Sequence, residues 1–514
     1  LIPPKFSISS ENPVFLLGGT EESRWSWWID KLPSFSSRIG LRIAVTTSEH
    51  FELLQKSGLP VFFQVNSHVK SWHRGFITDL EKKEEWNWKL GAPGHPLPIV
   101  EKILKKYSFV KGIIVWEVSA KWYDLPEERR YIMRLLRLCA NYGRYLIWIE
   151  PNWGYNIWHD ISLKEDTREW IKKYGKYLIP CWKMNSHSIP LLYHSECLGL
   201  WLSGIVEHWG INAERWFWRT GGLGKLGEYP GYPGRIKDAP YSICPQQAFL
   251  GIISGASVYS FENLPYHMWL HKRLRERHIF PFIKWLIENR PFVSKEDVLK
   301  KCKVAFRMPP KLFPIDKFKS IHKISYFFQP LYQETYALKH IESEIIPDRY
   351  RYYILPIVPP FITHINGLKI LDYDPSLPAS YWRELLDKYF PSQEYGDAFV
   401  CKIKDTIAIT NSYENEDIRQ SFSIPLNKSP VRKISGEVGP NQFILGKVYP
   451  EKLCLYIGSR KDRPECSLKL KLREDVEIVS NPEEGIVEKS QEGRIVRLKT
   501  SLEGGVSISI IRKK

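Results

Sequence analysis

The first half of the chain is punctuated by short, unbroken apolar runs: VFLLGG (14–19), RIAVTT (42–47), PVFFQVN (60–66), VKGIIVW (110–116), RYLIWIE (144–150), YLIPCWKMN (177–185), LGLWLSG (198–204) and ASVYSFEN (256–263). Runs rich in β-branched and aromatic residues, without polar alternation, suit strands covered on both faces, as in a parallel sheet. Pro180 is an awkward residue for the interior of the sixth. The segments between them carry helical signals. Ser48 caps an amphipathic stretch from Glu49 to Lys56 that stops at Gly58. Glu127 to Asn141 is apolar at Ile132, Leu135, Leu136 and Cys139 and stops at Gly143. Ser162 with Glu165 makes a capping box for a helix ending near Gly175, and Pro245 opens one that reaches toward Gly255. Eight strands alternating with helical segments over about 260 residues predict an α/β fold, a (β/α)8 TIM barrel. The long insertions at 67–98 and 205–244 follow predicted strands, where the loops of such a barrel form the binding face.

Past a helical run from His267 to Asn289 the texture changes. Lys300 to Lys323 is basic and Pro-interrupted and reads as a linker or a packed crossover; Tyr350 to Val358 is strand-like. From Val400 onward, CKIKDTIAIT, QSFSIPL, KLCLYIG, CSLKLKL, GRIVRLK and GVSISII alternate apolar and polar positions between turn residues, which predicts a C-terminal β-rich domain, a β-sandwich. The expected division is a barrel at 1–298 and a C-terminal region at 299–514, with a connecting segment to about 399 and the sandwich from about 400. The sandwich holds no carboxylate pair among aromatics, so its expected role is support or glycan contact rather than catalysis, with support ahead of contact.

Composition narrows the function classes. The formal charge is +17, but Lys and Arg are spread along the chain with Asp and Glu between them, and no RRM, KH or zinc-finger signature is present. A basic surface is expected, with no specific nucleic-acid partner. Eight Cys without a C-x-x-C pair exclude zinc-ribbon and thioredoxin readings. No apolar run approaches the length of a membrane-spanning helix. The 20 Trp, most of them before residue 290, change the picture more: indoles in a cleft stack on flat apolar faces such as those of sugar rings, although many must fill core.

The predicted strands end in chemistry. Glu117, Glu150 and Glu262 close the fourth, fifth and eighth runs, each beside aromatics, and the stretch GIVEHWGINAERWFWR adds Glu207 and Glu214 among Trp209, Trp216 and Trp218. Glycoside hydrolysis needs two carboxyl groups flanking the scissile bond, one a proton donor with a raised pKa, the other activating water or attacking directly. Strands four and eight face each other across an eight-stranded ring, so Glu117 and Glu262 are placed to act as such a pair. Three other patterns carry less. His68 and His73 fit no common metal spacing, and no metal or cofactor is expected. Gly222-x-Gly224-x-x-Gly227 runs into Tyr229-Pro230-Gly231, not into the helix that a dinucleotide site requires. No G-x-S-x-G is present.

Three segments carry a family resemblance: VKGIIVWEVSAKWY (110–123), ECLGLWLSGIVEHWGINAERWFW (196–218) and LYQETYALKHIESEIIPDRYRYYILPIVPP (331–360). With them the chain resembles glycoside hydrolase family 98. The resemblance implies a (β/α)8 barrel with a C-terminal β-rich domain and an endo-acting, inverting hydrolase, whose family substrates include blood-group galactosides and xylan. It implies Glu117 as the acid and Glu262 as part of the base machinery. A second base-side carboxylate belongs after strand seven, where the family often has Asp; Glu214 fits best and Glu207 is its rival. Trp116, Trp122, Trp153, Trp209 and Trp218 are then candidate sugar platforms, and Glu150, Asn185, Glu207, His208 and Tyr259 candidate substrate contacts. The richness in Ile, Lys and Glu, with only four Met, leans toward heat adaptation. That leaning and the basic balance put β-1,4-xylan ahead of a β-galactoside. The expected partner is a polysaccharide or oligosaccharide, met by a secreted protein. A carbohydrate-binding barrel that has lost catalysis is the alternative of a different class.

Overall fold

The structure is a computed structural model and describes residues 1–18, 37–43, 48–65, 97–116, 126–151, 164–184, 190–213, 242–261, 272–307, 355–374, 376–377, 379–390, 395–411, 419–440, 442–460 and 464–513. Eight parallel strands, β1 (Val14–Gly18), β2 (Ile39–Ile43), β3 (Val61–Gln64), β4 (Val110–Trp116), β5 (Tyr145–Pro151), β6 (Leu178–Met184), β7 (Gly210–Ala213) and β8 (Val258–Phe261), close into a barrel in sequence order, with β1 paired to both β2 and β8. The two-residue period of the strands divides their side chains. Val14, Leu16, Phe62, Ile114, Ile147, Ile179, Cys181 and Val258 point inward and form a buried cluster of their own. Small residues leave room for large ones: a methyl on Gly112 would stand 2.7 Å from the Phe62 ring. Outward residues such as Phe15, Phe63, Ile113, Trp148, Trp182 and Tyr259 pack under the helices.

Those helices include α1 (Ser48–Ser57), α2 (Leu97–Lys106), α3 (Pro126–Tyr142), α4 (Glu165–Tyr174), α5 (Pro190–Leu202) and α6 (Ile243–Ser254), the last ended by Gly255 in the left-handed region at φ 81°. A π-helical turn over Leu274–Ile279 leads into α7 (Phe280–Asn289). The helix predicted from a Ser162 capping box starts at Glu165 instead, with Lys164 at its N-cap and no side-chain cap; Ser162 lies outside the described residues. The larger correction concerns LGLWLSG, expected as the seventh strand. It belongs to α5, and the seventh strand is the four-residue Gly210–Ala213. A helix normally betrays itself by a polar face. α5 is covered on two sides, by β6 of the barrel and by a strand of the C-terminal region, where a methyl on Gly199 would fall 1.7 Å from the Ile357 carbonyl oxygen. Covered on both sides, its last residues, Leu198 to Leu202, hold no polar side chain, and that stretch looks like a buried strand.

The C-terminal region begins with α8 (Lys295–Cys302), whose N-cap Ser294 accepts a hydrogen bond from the Asp297 amide. It continues into β9 (Val304–Arg307), β10 (Ile357–Val358), β11 (Lys369–Asp372) and α9 (Ala379–Asp387). β9 is the centre of a parallel sheet ordered β10-β9-β11, so the stretch read as connector contains a small α/β layer. Two antiparallel sheets follow. One contains six strands in the order β12 (Phe399–Ile403), β13 (Thr406–Thr410), β16 (Phe443–Val448), β17 (Lys452–Ser459), β22 (Gly504–Arg512), β19 (Val476–Asn481). The other contains five, β14 (Gln420–Pro425), β15 (Val431–Val438), β18 (Glu465–Leu472), β21 (Ile495–Ser501), β20 (Ile486–Glu492). The expected sandwich is present, and Leu468, Leu470, Val496, Leu498, Ile508 and Ile510 lie in its core.

The six-stranded sheet also packs on the barrel. Phe249 of α6 and Phe282 of α7 meet Phe443 edge-on at 6.2 and 5.7 Å. Gln246 donates to Thr410 Oγ1 at 3.0 Å, and the Tyr449 hydroxyl donates to the Asn289 carbonyl at 2.9 Å. Glu503, almost wholly buried, joins Arg273 and Arg277 of the barrel side. One hydrophobic cluster runs from the outer barrel through the small sheet to Tyr456 of the sandwich.

Candidate active site

Toward the carboxyl ends of the strands the inward positions turn from apolar to polar. Above Leu16, Phe62 and Val258 stand Arg42 on β2, Gln64 on β3, Asn212 on β7 and Ser260 on β8. Arg42 Nε donates to Gln64 Oε1 at 2.6 Å, and Nη1 donates to Asn212 Oδ1 at 2.8 Å and to Ser260 Oγ at 3.1 Å. Arg42, Asn212 and Ser260 are buried. One guanidinium thus ties four strands together below the barrel mouth, in a low-dielectric place where its charge acts strongly on its neighbours.

The carboxylates follow this layer directly in the chain. Glu117 comes next after Trp116, the last residue of β4; Glu214 next after Ala213, the last of β7; Glu262 next after Phe261, the last of β8. In the closed order β4 and β8 are diametrically opposed and β7 adjoins β8. Glu214 stands two positions beyond Asn212, and Glu262 two beyond Ser260. Glu150 lies within β5, and Trp116 ends β4; for both the backbone is described and the side chain is not. Glu117, Trp122, Trp153, Asn185, Glu214, Trp218 and Glu262 lie outside the described residues.

Four expected contacts take other places. Glu207 and His208 precede β7, so they sit at the amino-terminal end of that strand, on the face of the barrel away from the mouth. Glu207 is exposed there. His208 is buried edge-on to Tyr145, the first residue of β5, at 5.5 Å, and burial lowers its pKa to about 4. The rival to Glu214 is therefore on the wrong side, a consequence of misplacing strand seven. Trp209, expected as a sugar platform, is fully buried. It stacks on His194 of α5 at 5.0 Å, and Trp182 of β6 covers the other side of the imidazole at 5.0 Å. Tyr259 faces outward from β8, fully buried and stacked on Phe15 at 5.2 Å, with burial raising its pKa. Both aromatics are core.

The Arg42 layer was not foreseen. Its signal is a polar residue at an inward position of an otherwise apolar run, visible once the register of all eight strands is known. Among the described residues no cluster of His, Cys, Asp or Glu is placed to hold a metal ion, and no helix is long and apolar enough to cross a membrane.

A closed parallel barrel with carboxylates following opposed strands defines the class: a (β/α)8 barrel of glycoside-hydrolase type. The chain belongs to glycosyl hydrolase family 98, whose family model matches residues 95–289 and whose C-terminal domain model matches residues 295–460. A curated relative, the blood-group-substance endo-1,4-beta-galactosidase of Clostridium perfringens, is 26% identical over 359 residues, which is 65% of this chain and 42% of that protein. The match thus spans less than half the length of the relative. The catalytic module of a family 98 glycoside hydrolase from Streptococcus pneumoniae, solved with the H-disaccharide blood group antigen, superposes with a TM-score of 0.76 at 18% identity, covering 99% of this chain and 100% of that one. The same module with the LewisY pentasaccharide antigen gives 0.76 at 17%, with the same coverage. These superpositions bear on the fold.

Proposed function

We propose that the chain is an endo-β-1,4-galactosidase that cleaves internal bonds of blood-group-type glycans by inversion. The observation that carries the substrate is the 26% identity to a blood-group-substance endo-1,4-beta-galactosidase. Xylan, ranked first on composition and charge, yields to this alternative, because those properties describe the surface as a whole and not the mouth. In the proposed mechanism Glu117, after β4, protonates the departing glycosidic oxygen. Glu262, with Glu214, takes the proton of a water on the opposite face of the sugar, and that water attacks the anomeric carbon. The placement of the three carboxylates after β4, β7 and β8 supports these roles. Trp116, Trp122, Trp153 and Trp218 remain the proposed sugar platforms, and Arg42 favours the ionised form of the base-side carboxylates.

Product analysis tests the reading. Wild type and Glu117→Gln are incubated separately with a blood-group-type β-galactoside oligosaccharide and with glucuronoarabinoxylan. Oligosaccharide release from the galactoside by wild type, lowered by about 10²-fold or more in the variant, is the expected result. Xylo-oligosaccharides as sole product would reverse the substrate, and equal activity of the variant would remove Glu117 from its role. Inversion is read from the anomer that first appears by NMR.

A further inference from the structure

We propose that the outer face of the five-stranded sheet binds an anionic glycan chain, sulfated or carboxylated. The face is built from strands whose alternate residues line the sandwich core; β18 reads exposed and buried in strict turn, with Lys469 and Lys471 outward. Its neighbours place cations directly opposite them. Lys433 of β15 pairs with Lys471, and Arg497 of β21 pairs with Lys469. Like charges in register across a sheet destabilise it. A bulge in β15 adds to the cluster: the register slips between Val431 and Lys433, and the inserted Arg432 is exposed beside the exposed Lys433. Bulges re-aim side chains, and this one gathers a further cation on the strand opposite Lys471.

The same sheet shows how such charge is ordinarily settled. Lys499, one pair further along β21, lies between Glu465 at 3.3 Å and Glu488 at 3.6 Å. Arg497 has Glu492 at 3.5 Å. Among the described residues, Arg432, Lys433, Lys469 and Lys471 form no ion pair. Five cations on adjacent strands, four of them unneutralised, make a site for a polyanion that spans strands. Ser435 and Ser467 alternate with the lysines and supply hydroxyls to a sugar chain. Single-stranded nucleic acid is bound on aromatic platforms, and the outward positions of β15, β18 and β21 hold no aromatic residue. Membrane adsorption pairs basic residues with inserted apolar ones; the exposed valines of this domain, Val479 and Val487, lie on β19 and β20, outside the cation cluster.

The experiment measures binding of the full chain to heparin as a function of salt, which needs no turnover and so stands apart from the catalytic reading. K433E/K469E/K471E is expected to weaken heparin binding by about tenfold or more and to flatten its salt dependence. K105E/K106E/K173E, which changes the net charge equally on exposed barrel helices, is expected to weaken it by less than about threefold. K433R/K469R/K471R should keep it. K469E alone, which sets a carboxylate opposite Arg497, should raise Tm while weakening binding, a combination that a merely structural lysine would not give. Equal losses in the two triple-Glu variants would assign retention to net charge and overturn the proposal. So would tighter binding of phosphatidylserine vesicles or oligo(dT) than of heparin, with the same sensitivity to K433E/K469E/K471E.

Discussion

His194 gives the chain a calculable sensitivity to acid. The imidazole is fully buried, stacked between Trp182 and Trp209, with Nε2 2.7 Å from Ser254 Oγ, and burial lowers its pKa to about 3. In the unfolded chain the same group titrates near its ordinary value, about 6.5. Below that value the unfolded state takes up a proton that the folded state refuses, so stability falls with pH from about 6.5 and levels off near 3. At pH 4.5 the gap spans about two pH units, which is about 2–3 kcal/mol from this residue alone. His194→Phe keeps a ring in the stack and removes the titration. It also removes the bond to Ser254, a cost of about 1 kcal/mol that is the same at both pH values and cancels in the comparison. Urea unfolding at pH 7 and pH 4.5 is the assay. The loss of stability between the two should be smaller in the variant by about 2–3 kcal/mol. An identical loss in both proteins would refute the argument, because it would mean that His194 is protonated in the folded state or solvated before unfolding.

Arg42→Met should cost about 3–5 kcal/mol, since it takes a buried charged donor from Gln64, Asn212 and Ser260; denaturant unfolding reads it, and kcat should fall more than KM rises. Trp209→Ala should lower stability by about 3–5 kcal/mol while leaving KM unchanged, which separates a core indole from a sugar platform. Glu503→Gln tests the seam between barrel and sandwich. Burial alone would raise the Glu503 pKa, but His278 and Arg273 hold it below the ordinary value. Its ionised form therefore stabilises the fold above about pH 4.3, and that support is lost as pH falls through the lower folded value. The variant should lose about 1–3 kcal/mol at pH 7, with Arg273 and Arg277 left partly solvated, and should show a shallower acid limb in thermal melts.

Much of the fold was legible because its signals are local. A strand buried on both faces is written as a continuous apolar run, and seven of the eight barrel strands were found that way, including β6 despite Pro180. In the sandwich β12, β13, β14, β17, β18, β21 and β22 were read from short alternating segments, whereas β15, β16, β19 and β20 were not; β18 keeps strict alternation because its outer face meets solvent. α5 failed for the converse reason. Its partners are residues 357–358, far along the chain, and nothing near 198–204 announces that a second layer will cover its outer side. Of the small sheet β10-β9-β11 only β10 was legible, at the end of the strand-like run Tyr350 to Val358; β9 and β11 are four residues long and joined across long sequence gaps.

The site divides along the same line. Carboxylates at strand ends are visible in one window of sequence, and Glu117, Glu214 and Glu262 each come next in the chain after the last residue of a barrel strand. Glu207 and His208 were misplaced because a helix was read as strand seven, so the amino-terminal side of the real strand was taken for the carboxyl-terminal side. Arg42 could not be read locally at all. In RIAVTT it looks like the polar start of a strand, and it is in fact the fourth residue of β2, on the inward side, where Asn212 and Ser260 from the far end of the barrel domain meet it. Its partners are 170 and 218 positions away in sequence. Closing the ring joins β1 to β8, and only then do Asn212 and Ser260 come within reach of a lone arginine in an apolar run. The base side of the proposed mechanism thus depends on long-range closure, whereas the acid side is written within VKGIIVWE.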